Sequence, residues 1–306
     1  MNQESPISVS IIIVNYNGIN VLPDCLNSIE TFVNTSNYEI IVVDNGSNDG
    51  SPELILEKYP YIHLIKQPEN RGFGAGNNAG AKVASGEFLF LLNTDTILIS
   101  NILPYLIDLM YANPQVAIIG PKLLNLDGSL QISVSPALGI KGEYQARRLH
   151  QAYQNASKLN FIAQKFQEIQ EVDIVVGAAF FIRSSLFHAL GGFDENFFMY
   201  FEESDLCQRI QNQGYKIIYT PHVSLIHLKG YSIQKTASLM ALEYRRSQLY
   251  YYQKHRPLWE QLVLRLYLFY KFFGEFITTA NPNCLKIIIL LFTVKKPAFT
   301  VSLSSQ

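Results

Sequence analysis

Short, unbroken apolar runs alternate with polar loops and amphipathic segments over the first third of the chain. Four runs have the length and composition of strands buried on both faces of a sheet: Val9–Val14, Glu39–Val43, Ile62–Ile65 and Phe88–Leu92. Helical spacing follows at Val21–Phe32 and again from Ser51, which is expected to cap its helix ahead of Pro52. This alternation predicts an α/β fold in which helices cover both faces of a mostly parallel central sheet.

The pattern is less regular after the fourth strand. Its predicted elements are a helix at 102–112, a strand at 116–120, a hairpin at Asp127-Gly128, a strand over Val172–Arg183 broken near Gly177, a helix capped by Ser184, a helix over Glu202–Gln213 and a strand over Tyr215–Tyr219. The polar segment 140–170 predicts a loop or lid over the site. From Thr236 onward the spacing predicts a helical, strongly aromatic tail.

Composition narrows the class of protein. The 306 residues carry a formal net charge of −1, which argues against a nucleic-acid partner, and only 16% of them are charged. Cys25, Cys207 and Cys284 lack metal-ligand spacing and predict reduced thiols in a cytoplasmic protein. The first residues lack the features of a secretion leader, and the apolar stretch Leu285–Val294 is about half the length of a membrane span.

Polar loops follow the predicted strands where each strand ends. Asn15, Asp44 and Asp95 lie in three of these loops, and the glycine-rich Asn70–Gly80 follows the third strand. Ligands of open α/β sheets bind beyond the carboxyl ends of the strands, so these loops predict a binding site. The glycine-rich loop has neither the spacing nor the position of a dinucleotide fingerprint, and no P-loop motif occurs. It is either a tightly packed turn or a bare backbone that a nucleotide approaches, with Arg71 available to phosphate.

Three carboxylates open the predicted helix at Glu202–Gln213. Acidic residues are common in a first helical turn because the helix dipole favours them, which accounts for one or two of the three. Glu202, Glu203 and Asp205 together follow a segment rich in aromatic residues, and that grouping indicates a functional role. Asp205 is also spaced to pair with Arg209 along the helix.

Six ordered motifs resemble those of the inverting family-2 glycosyltransferases of the GT-A fold: VSIIIVNYNG, VVDNGSNDGS, NRGFGAGNNAG, LLNTD, FFMYFEESDLCQR and HVSLIHLKG. The similarity covers about residues 7–230, and it is greatest to the rhamnosyltransferase-like branch of bacterial cell-wall, O-antigen and polysaccharide assembly. It implies a catalytic domain over 1–235, with a nucleotide-binding half at about 7–120 and an acceptor half at about 121–235. A helical tail would occupy 236–306.

The resemblance implies a nucleotide-sugar donor bound by the loops of the first half. Asn15 and Tyr16 would flank the base of a dTDP- or UDP-sugar, and Asp44 would accept the imide N3–H, since a carboxylate is a sound acceptor for that donor. The remaining donor contacts implied in this way are Asn45, Arg71, Gly72, Asn77, Asn93 and Thr94.

The resemblance also implies a divalent metal, Mn²⁺ or Mg²⁺, and a carboxylate base. Asp95 matches the last acid of the D-x-D element, but Asn93 replaces the first acid and would act as a carbonyl or water-mediated ligand. His227 matches a second metal ligand, although a lone histidine among aliphatic residues is more often a packed one. Glu203 matches the base, where Asp is frequent in the family, and Glu202 and Asp205 would support the acceptor side.

These implications predict an inverting transfer of a sugar, with L-rhamnose from dTDP-rhamnose preferred, to a lipid-linked or polysaccharide acceptor. The alternatives are a sugar-nucleotidyltransferase or a non-catalytic nucleotide-sugar-binding protein. Aromatic and basic residues interleave in the tail, which predicts peripheral contact with the inner face of the cytoplasmic membrane; packing on the catalytic domain and a dimer interface are the alternatives. The basic residues are Arg245, Arg246, Lys254, Arg256, Arg265, Lys271, Lys286, Lys295 and Lys296.

Overall fold

The computed structural model describes residues 8–34, 37–154, 162–228 and 237–293. The expected domain boundary at residues 235 and 236, and the tail residues Lys295 and Lys296, lie outside these ranges. The strands are β1 (Val9–Asn15), β2 (Tyr38–Asp44), β3 (His63–Lys66), β4 (Phe88–Asn93), β5 (Thr96–Leu98), β6 (Val116–Leu124), β7 (Leu130–Gln131), β8 (Val134–Ser135), β9 (Gln170–Glu171), β10 (Ile174–Val175), β11 (Ala179–Arg183) and β12 (Lys216–His227). The helices are α1 (Leu22–Phe32), α2 (Ser51–Lys58), α3 (Phe73–Ala81), α4 (Leu103–Ala112), α5 (Ile140–Tyr153), α6 (Ser184–Ala189), α7 (Glu202–Asn212), α8 (Ala237–His255), α9 (Leu258–Thr279) and α10 (Pro282–Thr293).

The central sheet has the strand order β3-β2-β1-β4-β11-β6-β12-β5. Strands β3, β2, β1 and β4 run parallel to one another, β11 is antiparallel to its neighbours, and β6 and β12 are again parallel. The α/β fold with a mostly parallel sheet is therefore confirmed. The parallel strands bring their carboxyl ends, and the polar loops behind them, to one edge.

Both faces of the sheet are covered, which explains why the strands are apolar without alternation. In β1, Ile11 and Ile13 pack on the side of α1, where Leu26 is fully buried. Ile12 points to the opposite face and joins a cluster that includes Leu206 of α7. The helix with the acidic first turn is thus fixed to the sheet by apolar packing.

Two predicted helix caps are wrong by one position. Ser51 and Ser184 are the first residues of α2 and α6, and the caps are Gly50 and Arg183. At α2, Gly50 has φ +87°, and the Asp49 carboxylate accepts both the Ser51 backbone N–H at 3.0 Å and its hydroxyl at 2.6 Å. Asp49 therefore satisfies the helix start, which leaves the Ser51 oxygen to accept from elsewhere.

Other differences concern the second half of the sheet. The predicted strand Val172–Arg183 divides into β10 and β11, and β10 pairs with β8 in a separate small sheet. Strand β5 was not predicted, and β12 extends well beyond the predicted end at Tyr219. The predicted hairpin at Asp127-Gly128 joins β6 to β7.

The C-terminal helices pack against the segment before α7 and against α5. Phe197 and Phe201 belong to the same apolar cluster as Tyr251 of α8, Leu268 of α9 and Leu291 of α10. Helix α5, within the predicted lid, is tied to this bundle, since Glu143 accepts hydrogen bonds from Gln248 and Tyr252. In the described part of the chain, no helix is both long enough and apolar enough to cross a membrane.

Candidate functional site

The ends of β1 and β2 form the first part of the site. Asn15 lies opposite Asp44 in the parallel register, and its Nδ2 donates to Asp44 Oδ1 at 2.8 Å and to Ser51 Oγ at 2.7 Å. The Ser47 backbone N–H donates to Asp44 Oδ2 at 3.0 Å. Asn15 and Asp44 are both buried, Asn15 Oδ1 has no hydrogen-bond partner, and Tyr16 is half-buried immediately beyond. A fixed carboxylate and an unpartnered amide oxygen are therefore aligned at this edge.

The glycine-rich loop has little room for side chains, because the backbone of another segment packs against it. Gly72 has φ +91°, and a Cβ there would lie 2.1 Å from the carbonyl oxygen of Phe198. The Gly72 oxygen accepts from Asn45 Nδ2 at 3.0 Å. Asn77, on α3, is buried and donates to the Phe73 oxygen at 3.0 Å, while its own Oδ1 has no partner. Close packing accounts for the glycine at position 72, as the tight-turn interpretation predicts. Contact of this loop with a nucleotide stays a prediction.

Arg71 is half-exposed and forms an ion pair that the sequence did not suggest. Its Nη2 lies 2.9 Å from Glu195 Oε2, and Glu195 Oε1 accepts from Asn78 Nδ2 at 3.1 Å. Glu195 therefore holds the guanidinium near the glycine-rich loop. A donor phosphate at this place would have to share Arg71 with Glu195 or displace it.

The two predicted metal ligands, Asp95 and His227, come together at the end of β12. In the antiparallel pairing of β5 with β12, His227 lies opposite Thr96. The Leu228 backbone N–H donates to the Asp95 backbone carbonyl oxygen at 2.8 Å. His227 Nε2 is 3.3 Å from Asp95 Oδ1, and Asn93 Nδ2 lies 3.5 Å from the same ring nitrogen. Thr94 is buried beside them. The pairing of β5 thus joins residues that are more than a hundred positions apart in sequence.

Gln131 fixes the tautomer of His227. Its Nε2 donates to the His227 carbonyl at 3.1 Å and to Asn125 Oδ1 at 2.9 Å, so its Oε1 is the atom that faces His227 Nδ1 at 2.6 Å. Nδ1 must therefore carry a proton and donate it to that oxygen. Nε2 is therefore the ring nitrogen that faces Asp95.

This donor set fits a divalent cation. No group of three or more His, Cys, Asp or Glu side chains suited to a metal occurs in the described ranges. Mg²⁺ and Mn²⁺ are commonly held by one or two protein ligands and completed by water and substrate phosphates. A carboxylate beside a histidine whose other ring nitrogen is held by a second side chain is the usual arrangement of such ligands.

Glu202 and Glu203 place two carboxylates at the start of α7. Glu202 is buried, Glu203 is partly exposed, and the Oε2 atoms of both are buried without a hydrogen-bond partner. Burial raises the pKa of Glu203 to about 7, against two backbone hydrogen bonds that lower it. Burial and the charge of Glu203 raise the pKa of Glu202. Tyr200 and Phe201, just before the pair, have φ of 68° and 69°, a strained conformation for side chains of that size.

Asp205, the third carboxylate, is fully buried in a structural network. It pairs with Arg209 at 2.8 Å as predicted, and it also contacts Lys254 at 2.6 Å and His255 at 2.7 Å. Burial alone would raise the pKa of Asp205, but the His255 hydrogen bond and the Arg209 charge outweigh burial and lower it. Lys254 also binds Asp194 at 2.6 Å. Helix α8 therefore fixes both the loop before α7 and the first turn that carries Glu203.

Two solved glycosyltransferases share this architecture. A mannosyltransferase from Pyrobaculum calidifontis, solved with GDP-Man and Mn²⁺, matches with a TM-score of 0.56 and 18% identity over 94% of this chain and 76% of its own. GalNAc-T7, solved with UDP, GalNAc and Mn²⁺, matches with a TM-score of 0.57 and 17% identity over 80% of this chain and 48% of its own. At these identities the similarity shows the fold, which is that of the GT-A glycosyltransferases.

Sequence comparison identifies the family. The model of glycosyl transferase family 2 matches residues 10–191, so the chain belongs to this family. The N-acetylglucosaminyl-diphospho-decaprenol L-rhamnosyltransferase of Mycobacterium tuberculosis is 27% identical over 235 residues, which cover 72% of this chain and 76% of that protein. The low-salt glycan biosynthesis hexosyltransferase Agl10 of Haloferax volcanii is 27% identical over 228 residues, 72% of this chain and 66% of that protein. The resemblance to this family is therefore confirmed.

Proposed function

We propose that the chain is an inverting glycosyltransferase that moves L-rhamnose from dTDP-rhamnose to a lipid-linked or polysaccharide acceptor. It would work in the cytoplasm, at the inner face of the membrane. The observation that carries the proposal is the contact between Asp95 Oδ1 and His227 Nε2, which lie 3.3 Å apart beyond the ends of the strands. Such a pair suits a metal ion that a donor diphosphate completes.

The loops at the ends of β1 and β2 would bind the nucleoside. Asp44, held by Asn15 and the Ser47 N–H, is positioned to accept the imide N–H of thymine or uracil. The unpartnered Oδ1 atoms of Asn15 and Asn77 are acceptors for further donor N–H or hydroxyl groups. Arg71 would meet the diphosphate once it leaves Glu195.

Glu203 would remove the proton from the acceptor hydroxyl. Its raised pKa lies near neutral pH, where a general base combines sufficient basicity with a large ionised fraction. The freed oxygen attacks the anomeric carbon opposite the nucleoside diphosphate, the C–O bond to the diphosphate breaks, and the configuration inverts. A divalent ion held by Asp95 and His227 would supply positive charge against the departing diphosphate. No covalent intermediate on the protein is required.

The donor and acceptor assignments are supported by the mycobacterial relative, whose name specifies L-rhamnose and a decaprenol-linked acceptor. A sugar-nucleotidyltransferase would be expected to carry basic residues in the loop after β1, and Asn15–Gly18 contains none. A purely binding role would leave Glu203, with its raised pKa, without a use.

A panel of nucleotide sugars, assayed with Mn²⁺ for thermal stabilisation and for nucleoside diphosphate release, tests the proposal. We expect dTDP-rhamnose to stabilise the native state most and to be turned over. Asp95→Asn should abolish turnover, whereas Asp127→Asn, in the β6–β7 hairpin, should not change it. Turnover of a different sugar would overturn the donor assignment. The absence of turnover with every sugar and acceptor tested would overturn the function.

A further inference from the structure

Helix α9 presents a continuous apolar face away from the protein. One side of the helix is buried through Leu264, Leu268 and Phe272. The opposite side contains large residues at every third or fourth position, each between 45% and 70% exposed, and no charged residue: Trp259, Leu262, Val263, Leu266, Tyr270, Phe273 and Ile277. A helix face that is exposed to water is normally polar. An exposed apolar face of this length therefore indicates contact with an apolar partner.

Helix α10 extends the same surface. Leu285, Ile289 and Phe292 are exposed at positions that share one side of α10. The two helices meet at an aromatic cluster. The Phe269 ring stacks on that of Phe273, with 5.6 Å between the ring centroids, and its centroid is 6.4 Å from that of Phe292 on α10. We call the outward residues of α9 and α10 together the apolar face.

Charge distinguishes this region from the rest of the chain. Residues 236–306 contain nine basic residues (lysine or arginine) and three acidic residues. Residues 1–235 contain fifteen basic and twenty-two acidic residues. Lys271 on α9 and Lys286 on α10 are exposed and lie outside the apolar face. Lysines in that place can extend toward anionic groups while the apolar residues beside them are buried.

We propose that the apolar face lies in the surface of an anionic lipid membrane, with α9 and α10 parallel to the plane of the bilayer. One-sided apolarity, tryptophan and tyrosine within the face, and exposed lysines outside it are features of an interfacial helix. A second copy of the chain is a poorer occupant, because its residues 236–306, with nine basic and three acidic residues, would offer the exposed lysines little negative charge. The inference rests on the proposed function in one respect: a lipid-linked acceptor would be met at this surface.

Vesicle sedimentation of the full-length chain tests this inference. Wild-type protein should pellet with vesicles that contain phosphatidylglycerol, should be released by high salt, and should bind weakly to pure phosphatidylcholine. Leu266→Glu in the apolar face should weaken partitioning by about tenfold or more. The matched control is Leu56→Glu on α2, where the leucine is 59% exposed against 57% for Leu266. This control should bind like wild type.

Two outcomes would overturn the inference. Equal partitioning of Leu266→Glu and Leu56→Glu would show that the apolar face does not contact lipid. A wild-type dimer in solution that Leu266→Glu dissociates, without vesicle binding, would assign the face to a second copy. Both variants should retain wild-type turnover of a water-soluble acceptor, so a failure of membrane binding is distinguishable from a failure of the proposed function.

Discussion

The ionisation of Glu203 should control the pH dependence of transfer. Its pKa is raised from 4.5 to about 7 by burial, so the carboxylate is about one-tenth ionised at pH 6 and about nine-tenths ionised at pH 8. Only the ionised form can accept the proton of the acceptor hydroxyl. The rate at saturating donor and metal should therefore rise about tenfold between these two pH values. A glutamate with an ordinary pKa would be almost fully ionised at both, and the rate would be flat.

Glu203→Gln separates this base from other titrating groups. The substitution preserves size and hydrogen bonding but removes the proton acceptor, and general-base catalysis is commonly worth about 10²–10⁴-fold. We expect turnover to fall by that factor, the rising limb to disappear, and the affinity for the donor nucleotide to change little. Glu57→Gln, an exposed glutamate on α2, is the control. Nucleoside diphosphate release is followed from pH 5.5 to 8.5 for the wild type and both variants.

Two results would refute the assignment of Glu203. One is a flat wild-type profile between pH 6 and 8. The other is near-wild-type turnover of Glu203→Gln while Glu202→Gln is folded and inactive, because this would move the base to the neighbouring carboxylate.

Three further predictions concern the groups around the site. Gln131→Leu removes the acceptor for His227 Nδ1–H and should raise the Mn²⁺ concentration for half-maximal activity by about 10–100-fold. Turnover should be retained at saturating Mn²⁺. Unchanged metal dependence would contradict the role of Gln131. Glu202→Gln should raise the melting temperature at pH 8 and change it little at pH 4.5. The raised pKa of Glu202 means that the folded protein loses stability as pH rises above the ordinary glutamate range, and equal shifts at both pH values would contradict this. Lys254→Met removes a cation from buried Asp205 and should lower the free energy of unfolding in urea by about 2 kcal/mol, whereas Lys216→Met, which breaks an exposed pair, should cost much less.

The parallel half of the fold could be predicted because its determinants are local. Each strand from β1 to β4 contains a short apolar run and is followed by a polar loop, and parallel pairing brings those loops to one edge. The helix starts were less accurate. At α2 the Asp49 carboxylate accepts from the first helical N–H, that of Ser51, and the serine that resembled a cap is the first residue of the helix.

The partners of the site residues could not be predicted, because they are supplied by distant parts of the chain. Gln131 lies 96 residues before His227, and Glu195 lies 124 residues after Arg71. Lys254 reaches Asp205 only because α8 packs on α7. Motifs carried by the resemblance indicated Asp95, His227 and Glu203, but no sequence pattern in the chain specifies which side chains orient them.

Transfer from dTDP-rhamnose to a water-soluble acceptor can be followed by NMR of the anomeric proton and carbon. We expect chelator-treated protein to be inactive, Mn²⁺ to restore transfer, and the new glycosidic bond to have the inverted anomeric configuration. Retention of configuration would contradict single displacement with Glu203 as base. Undiminished transfer by metal-free protein would contradict the role given to Asp95 and His227.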